Sequence, residues 1–160
     1  MSSWMREAGG LLLAVAICQG VGALAGWVTA GPVETWYPAL DKPFFTPPNW
    51  LFAPAWITLY TLMGIAAYLV ARKGWRRPAV RGALAVFGGQ LVLNGAWSFV
   101  FFGAQSPGGG LVVIAALLGA IIWTMVRFFP LQRWAGWLLV PYLLWVSYAT
   151  ALNAAIWWLN

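Results

Sequence analysis

Five long runs of apolar residues, separated by shorter polar segments, form the main pattern of this chain. They cover about residues 8–28, 50–71, 82–103, 111–129 and 134–159. A hydrocarbon core of ~30 Å is crossed by a helix of ~20 residues, so each run is long enough to span a membrane. None contains Asp, Glu or Lys, and Arg127 lies near the end of its run, from which it can reach the surface. The pattern predicts an all-α integral membrane protein, a single domain over residues 1–160 folded as a five-transmembrane-helix bundle.

The connections between these runs differ in charge, and this predicts an orientation. Five basic residues lie within residues 72–81, and Arg127 and Arg133 flank the turn between the fourth and fifth runs. The connection over residues 104–110 is uncharged. Basic loops remain in the cytoplasm, so the N-terminus is predicted to be cytoplasmic and the C-terminus outside. The long connection over residues 29–49 then also lies outside.

Composition agrees with lipid as the solvent for most of the chain. The residues are 62% hydrophobic and 8% charged, against roughly 25% charged in soluble domains. The net charge of +6 resides in short loops, which is a topology signal and not a nucleic-acid-binding patch. The first apolar run is too long for the core of a signal peptide. We expect a multi-pass protein of a bacterial cell membrane, with an outer membrane as the alternative.

Residues 29–49 form the only long connection, and their composition predicts a lid. The segment from Gly31 through Trp50 contains five prolines and, with Trp50 included, five aromatic residues. The prolines restrict the backbone and the aromatic side chains supply apolar surface to bury. A flexible linker would instead contain Gly and Ser. The alternative is a proline-rich spacer between two helices.

Polar and aromatic residues recur at intervals of four in three of the runs, which places each set on one helix face. The sets are Trp56 and Tyr60; Gln90, Asn94 and Ser98, with Trp97 beside them; and Pro141, Trp145, Ala149 and Asn153. At 1.5 Å per residue, Trp56 lies roughly 9 Å and Asn94 roughly 13 Å below the outer membrane surface. Buried polar residues in a membrane usually face the bundle interior. We therefore favour a cavity under the lid for Asn94 and Trp145, with interhelical contacts as the less favoured alternative, whereas Gln90 fits that cavity and an interhelical hydrogen bond equally well.

Most of the 13 tryptophans are expected to mark the membrane surfaces. Those at run ends or in loops fit an aromatic belt: Trp4, Trp27, Trp36, Trp75, Trp134, Trp137, Trp157 and Trp158. Trp50 fits the belt or the lid, and Trp123 fits a lipid-facing or an inward position.

Small residues at intervals of four form a smooth ridge on the first run: Ala14, Cys18, Gly22 and Gly26. Such a ridge allows close helix packing. The partner is either a helix of the same bundle or a second protomer.

Three motifs, in order and inside five spans, resemble the TspO family of tryptophan-rich sensory proteins, also called translocator proteins or peripheral-type benzodiazepine receptors. The first is Trp36-Tyr37-x-x-Leu40-x-Lys42-Pro43-x-x-x-Pro47-Pro48, followed by Trp56. The second is Leu93-Asn94-x-x-Trp97-Ser98-x-x-Phe101-Phe102-Gly103. The third is Pro141-Tyr142-x-x-Trp145-x-x-x-Ala149-x-x-Leu152-Asn153.

The resemblance implies a five-helix bundle, usually a homodimer, with a pocket closed by the first loop. It implies binding of porphyrins such as protoporphyrin IX and of isoquinoline carboxamide and benzodiazepine ligands, and in some members of cholesterol. The pocket residues that carry over are Tyr37, Pro47, Trp56, Asn94, Trp97, Trp145 and Ala149. In some members light-dependent porphyrin breakdown is attributed to the tryptophans that match Trp56 and Trp145.

Two positions depart from the family pattern. Phe45 stands where many relatives have tryptophan. The sterol motif of animal members needs a basic residue shortly after a tyrosine of the fifth span, but Tyr148 is followed by Ala-Thr-Ala-Leu-Asn. Sterol recognition is therefore not expected, and such motifs are weak in any case.

The expected function is a membrane tetrapyrrole-binding sensor or regulator; the alternative is a carrier of porphyrins, sterols or other small hydrophobic molecules. A flat ring is expected to stack on Trp56 and Trp145, with Asn94, indole N–H groups and Lys42 as donors to its carboxylates. The chain has one cysteine and no histidine, so no metal site and no conventional catalytic group are expected, and no cofactor is implied. Light-driven oxidation of a porphyrin needs no such catalytic group, because the porphyrin and oxygen supply the reactivity.

Overall fold

The structure is a computed structural model, and it describes residues 2–160. Six α-helices are present in this range: α1 (Ser3–Thr35), α2 (Phe52–Ala71), α3 (Pro78–Ser98), α4 (Pro107–Phe128), α5 (Arg133–Leu138) and α6 (Val140–Leu159). Together they give five helical segments long and apolar enough to cross a membrane, and the described residues contain no strand. The predicted all-α, five-span architecture is confirmed, and the chain is a multi-pass integral membrane protein.

Helix α1 is longer than the predicted span over residues 8–28, because it runs on to Thr35 and includes Pro32. The end of an apolar run predicts where the chain leaves the lipid. The helix itself can continue further, until its terminal backbone groups find other hydrogen-bond partners. The polar side chains of the extension bond within the helix: Thr29 Oγ1 donates to the Ala25 carbonyl at 2.7 Å and Thr35 Oγ1 to the Gly31 carbonyl at 2.9 Å. The lid therefore begins at Trp36, not at residue 29, and comprises residues 36–48.

The fifth span is divided near its N-terminal end, where the sequence predicted one continuous helix over residues 134–159. Helix α5 ends at Leu138 and α6 begins at Val140. Pro141 explains the break, since it has no N–H to donate to the carbonyl four residues earlier and its ring crowds that carbonyl. The two helices still form one apolar span, Arg133–Leu159.

A short π-helical turn, Phe99–Gly103, continues α3 at its C-terminal end. Its wider turn carries the Ala104 N–H to the Phe99 carbonyl at 2.8 Å. Such turns inside helices are often found at functional sites. Both Phe101 and Phe102 are buried here, so two adjacent aromatic side chains face the interior of the bundle.

Helices α1 and α2 pack closely through small residues and one polar contact. Gly22 lies against the Tyr60 ring, and Gly64 lies so close to Val15 that an added Cβ would be 2.5 Å from the Val15 Cα. Gln19 Nε2 donates to the Ile57 carbonyl and to Thr61 Oγ1, both at 2.9 Å. The ridge on α1 thus packs inside the bundle at Cys18 and Gly22, whereas a Cβ on Gly26 would meet nothing within 4 Å.

The basic connection over residues 72–81 lies beside the start of α1. Arg72 forms an ion pair with Glu7 at 2.9 Å, and its guanidinium lies 5.9 Å from the centre of the Tyr68 ring. Both partners of the ion pair are about half exposed, so this contact contributes little to stability. It does bring the chain start and the basic loop to one end of the bundle. The assignment of that end to the cytoplasm stays a prediction.

The tryptophans divide largely as the sequence predicts. Seven of the eight expected in the belt are exposed: Trp4, Trp27, Trp75, Trp134, Trp137, Trp157 and Trp158. Trp50 and Trp123 are exposed as well. Trp36 differs from the expectation, because it packs in part against Phe101 and Phe102. The turn that follows α1 directs it back over the bundle, which its position at a run end does not reveal.

The contact between α1 and α2 yields a test of packing. Gly64→Ala places a methyl group against backbone and is expected to lower the free energy of unfolding by about 1–3 kcal/mol. Gly119→Ala is the matched control, since a Cβ there meets nothing within 4 Å; its stability should be equal or higher, because alanine favours helix by about 1 kcal/mol. Thermal unfolding of the two variants in the same detergent measures the difference, and equal loss in both contradicts this packing.

Candidate functional site

A cavity lies under the lid, enclosed by α2, α6 and the π-helical turn. We call it the central cavity. Its wall is mostly aromatic and consists of Tyr37, Phe52, Trp56, Trp97, Phe101, Phe102, Trp145, Ala149, Leu152, Asn153 and Ile156. Its volume is about 20 Å³, which holds about one water molecule. The structure thus shows the lid closed over a nearly filled space.

Hydrogen bonds from α6 hold the lid in this closed position. The Tyr148 hydroxyl donates to the backbone carbonyl of Phe45 in the middle of the lid. At the outer end of α6, the Asn160 amide donates to the Asp41 carbonyl at 2.8 Å and accepts from the Asp41 N–H at 3.1 Å. Tyr148 and Asn160 therefore fix two points of the lid, and opening it requires these bonds to break.

Lys42 stabilises the turn of the lid from within. Its ammonium donates to the carbonyls of Tyr37 at 2.9 Å and Leu40 at 3.0 Å, and it lies 4.9 Å from the centre of the Tyr37 ring. A cation over an aromatic face adds electrostatic attraction. Lys42 was expected as a donor at the rim for ligand carboxylates, but in this structure its protons serve the lid backbone.

The tryptophans of the wall are arranged edge to face. The rings of Trp56 and Trp145 are 6.4 Å apart at an angle of 86°, and Phe52 meets Trp145 at 6.3 Å and 82°. Such pairs favour this geometry because the positive edge of one ring meets the negative face of the other. A flat ligand can therefore lie parallel to Trp56 or to Trp145, but not to both as the sequence suggested.

A chain of hydrogen bonds lies next to the cavity and joins three helices. The Tyr60 hydroxyl of α2 donates to Asn94 Oδ1 of α3. Asn94 Nδ2 donates to the Tyr142 hydroxyl of α6 at 2.8 Å, and that hydroxyl donates to Gln90 Oε1 at 2.7 Å. All four side chains are buried. Unpaired polar groups in lipid are costly, so this chain fixes the relative positions of α2, α3 and α6.

Two further polar groups of the wall are already engaged. Trp97 Nε1 donates to Asn153 Oδ1 at 2.9 Å, and Asn153 Nδ2 donates to the Pro107 carbonyl at 2.7 Å. These bonds join α3, α6 and the start of α4 along one side of the cavity. Within residues 2–160, no hydrogen bond is made by the indole N–H of Trp56 or of Trp145. Those two N–H groups are therefore available to a ligand.

Tyr37 supplies the one buried polar atom without a partner in the described part of the chain. Its side chain is 2% exposed, and its hydroxyl has no hydrogen-bond partner among residues 2–160. Burial, and to a smaller extent the neighbouring phenol of Tyr148, raise the pKa of Tyr37 to about 12. Tyr37 is therefore a neutral donor at physiological pH. Unsatisfied buried groups are rare and call for an explanation, such as a bound ligand.

The structure brings together five of the seven predicted pocket residues: Tyr37, Trp56, Trp97, Trp145 and Ala149. Pro47 is buried within the lid but does not line the cavity. Asn94 does not line it either, because it bonds to Tyr60 and Tyr142, whose rings lie 5.6 Å and 6.4 Å from the Trp56 ring. In this structure Asn94 acts as an interhelical link, the alternative that the sequence favoured less for it.

The cavity also contains five residues that sequence reasoning did not select: Phe52, Phe101, Phe102, Leu152 and Ile156. Asn153, which the interval of four placed on the same face as Trp145 and Ala149, lines it as well. Helical spacing from the predicted pocket residues could have predicted that several of these five line the cavity. Phe52 precedes Trp56 by four positions, and Leu152 and Ile156 follow Ala149 by three and seven. Phe101 and Phe102 enter through the π-helical turn, for which the sequence gives no rule.

The fold and the cavity define a class of protein. It is a five-span membrane protein with a tryptophan-lined cavity under the lid that joins the first two spans. The sequence model of the TspO/MBR family matches residues 14–159. The chain is 48% identical over 141 residues to the tryptophan-rich protein TspO of Archaeoglobus fulgidus, covering 88% of this chain and 90% of that protein. It is 42% identical over 120 residues to the tryptophan-rich sensory protein of Cereibacter sphaeroides, and 41% over 124 residues to the translocator protein of Homo sapiens. These matches cover 75% and 76% of this chain and 73% of each relative. The chain belongs to the TspO/MBR family.

The buried chain of hydrogen bonds yields a second prediction. Asn94→Ala removes the partner of both Tyr60 and Tyr142 and is expected to lower the free energy of unfolding by about 1–3 kcal/mol. Ser147→Ala is the control, because Ser147 is exposed and bonds only to the Leu143 carbonyl of its own helix. Chemical or thermal unfolding in detergent measures both. Equal stability of the two variants would show that Asn94 does not link the helices.

Proposed function

We propose that this protein is a membrane sensor or regulator that binds a tetrapyrrole, such as protoporphyrin IX, in the central cavity. One observation carries the proposal: an aromatic wall with three tryptophans contains a buried hydroxyl, that of Tyr37, which has no partner in the described chain. Flat conjugated rings bind to such walls through stacking and edge contacts. A few placed donors then fix their orientation.

The closed cavity must enlarge before such a ligand enters. Sites for ligands of this size have volumes of about 300–1,000 Å³, against about 20 Å³ here. A ring that enters can stack on Trp56 or Trp145 and receive an edge contact from the other. The Tyr37 hydroxyl and the two indole N–H groups are the available donors to its polar substituents. No charged side chain lines the cavity, so the ligand carboxylates must lie towards the outer surface.

The names of the relatives support a sensory or translocating role in the membrane. The protein of Cereibacter sphaeroides is called a sensory protein, and the human relative a translocator protein. A closed lid that opens for a ligand suits a sensor, because ligand binding then selects one of two conformations. The regulatory output of this chain is part of the proposal.

We further propose that bound porphyrin is broken down in light. The cavity wall has no carboxylate, amine or imidazole, and burial raises the pKa of its one phenol, Tyr37, to about 12, so general acid–base catalysis has no group that titrates near neutral pH. Excited porphyrin and dioxygen supply the reactivity, and the indoles of Trp56 and Trp145 are the oxidisable groups beside the ligand. Their centres are 6.4 Å apart, which leaves both within contact of one bound ring.

Titration with protoporphyrin IX tests the binding site. Trp56→Ala and Trp145→Ala each remove one aromatic contact and should weaken binding about tenfold, the equivalent of about 1.4 kcal/mol. Tryptophan fluorescence quenching and porphyrin absorbance measure the affinity in detergent or nanodiscs. Trp27→Ala is the control, since Trp27 is 78% exposed on α1. This variant should bind protoporphyrin IX as tightly as the parent protein does. Unchanged affinity in both cavity variants would rule out this site.

Illumination tests the chemistry separately. With saturating porphyrin and oxygen, Trp145→Phe should slow the loss of porphyrin absorbance in light, because phenylalanine is far harder to oxidise than indole. Trp27→Phe should leave the rate unchanged. Dark samples of all three proteins should show no loss, and equal loss in the dark would refute a light-dependent reaction.

A further inference from the structure

A second, larger opening lies beside the central cavity at the lid end of the bundle. We call it the outer groove. It is bounded by the start of the lid, the connection between the π-helical turn and α4, and the end of α6: Trp36, Leu40, Gln105, Pro107, Trp157, Trp158 and Asn160. Its volume is about 590 Å³ and it is open to the surroundings. The central cavity is smaller, at about 20 Å³, and less open.

Two layers of aromatic side chains separate the outer groove from the central cavity. Trp36 lines the groove, while Phe101 and Phe102 line the cavity. The Trp36 ring meets them edge to face, at 5.6 Å and 70° from Phe101 and at 6.4 Å and 84° from Phe102. Pro107 on the groove side is bonded through its carbonyl to Asn153 on the cavity side. Movement of the Trp36 indole would therefore leave only the Phe101 and Phe102 rings between the two spaces, and a shift of either ring would then join them.

The remainder of the lid and the Trp36 side chain, which packs behind Phe101 and Phe102 of the cavity wall, are held by different interactions. The lid is held by hydrogen bonds from Tyr148, Asn160 and Lys42. The Trp36 indole is held by ring contacts, and it makes no hydrogen bond within residues 2–160. Its backbone is fixed, since its N–H donates to the Pro32 carbonyl at 3.0 Å and its carbonyl accepts from Ala39 at 3.1 Å. Rotation of the Trp36 side chain thus frees the Phe101 and Phe102 rings of the cavity wall to move, while every lid hydrogen bond remains intact.

Gln105 marks the far rim of the outer groove and has an unusual backbone. Its φ is +51°, a left-handed conformation that few residues other than glycine adopt. The side chain is exposed, and its amide has no hydrogen-bond partner in the part of the chain that the structure describes. Such conformations persist where the surroundings impose them, and they are concentrated at ligand sites. Here the left-handed conformation belongs to an exposed residue that lines the groove.

We propose that the outer groove is the entrance and the outer half of the ligand site, and that Trp36 is the gate between it and the central cavity. Together the two spaces suit a flat amphiphilic ring that is too large for the cavity alone. The ring face lies inside against Trp56 or Trp145, and the polar edge lies in the groove near Gln105. The identity of the ligand rests on the proposed function, whereas the opening of the gate does not.

Thiol labelling tests the gate without any porphyrin. Ala149 lines the central cavity, so Ala149→Cys in a Cys18→Ala background reports entry of a small methanethiosulfonate reagent. Adding Trp36→Ala removes both ring contacts and should raise the labelling rate about tenfold, equivalent to about 1.4 kcal/mol. Adding Gln105→Trp fills the groove without loss of an internal bond and should slow labelling. Adding Trp27→Ala, on the exposed surface of α1, should leave the rate unchanged.

If Trp36→Ala and Gln105→Trp both label at the parent rate, the reagent enters elsewhere and the gate is wrong. Stopped-flow mixing with protoporphyrin IX then separates the two proposals. The gate predicts faster association in Trp36→Ala and slower association in Gln105→Trp. Parent-like association in both variants overturns the gate while the proposed function stands. If the parent protein binds no porphyrin, the proposed function fails, and the labelling rates alone decide the gate.

Discussion

The absence of hydrogen-bond partners in lipid is the constraint on which this structure depends. Each polar side chain placed within a span must find a partner in the protein. Single threonines and serines use a carbonyl of their own helix, as Thr29 does with Ala25. The longer side chains reach other helices instead. The chain from Tyr60 through Asn94 and Tyr142 to Gln90 is the largest such set, and it joins α2, α3 and α6 at one depth.

That chain also determines the geometry of the candidate site. Trp56 lies one turn from Tyr60 on α2, and Trp145 lies three residues from Tyr142 on α6, so both indoles are positioned by the residues that bond to Asn94. The result is a pair of perpendicular rings under a lid that α6 itself holds through Tyr148 and Asn160. Helix α6 therefore contributes to the wall, the lid contacts and the buried polar chain together. Changes in its position should affect all three.

Particular residues show how far sequence reasoning reaches. Intervals of four put Trp56, Trp145 and Ala149 on inward faces, and all three line the central cavity. The same rule placed Asn94 there, but a side chain on an inward face can meet either a cavity or another helix. Asn94 meets another helix, because its amide donates to the Tyr142 hydroxyl of α6. Phe101 and Phe102 depend on a π-helical turn, whose occurrence is set by contacts between helices. Trp36 was assigned to the membrane surface because a position at a run end does not specify the direction of the turn that follows.

The sequence by itself determined the five spans, the presence of the lid and the tryptophan-rich faces, because apolar length and helical period are local properties that lipid enforces directly. Only the tertiary structure decided which polar groups pair, that the cavity is nearly filled, and that Trp36 separates it from a groove. Those features depend on the relative rotation and depth of helices far apart in the chain. Differences of one or two ångströms decide whether Tyr37 has a partner or whether an indole closes a passage, and no periodicity in the sequence encodes such distances.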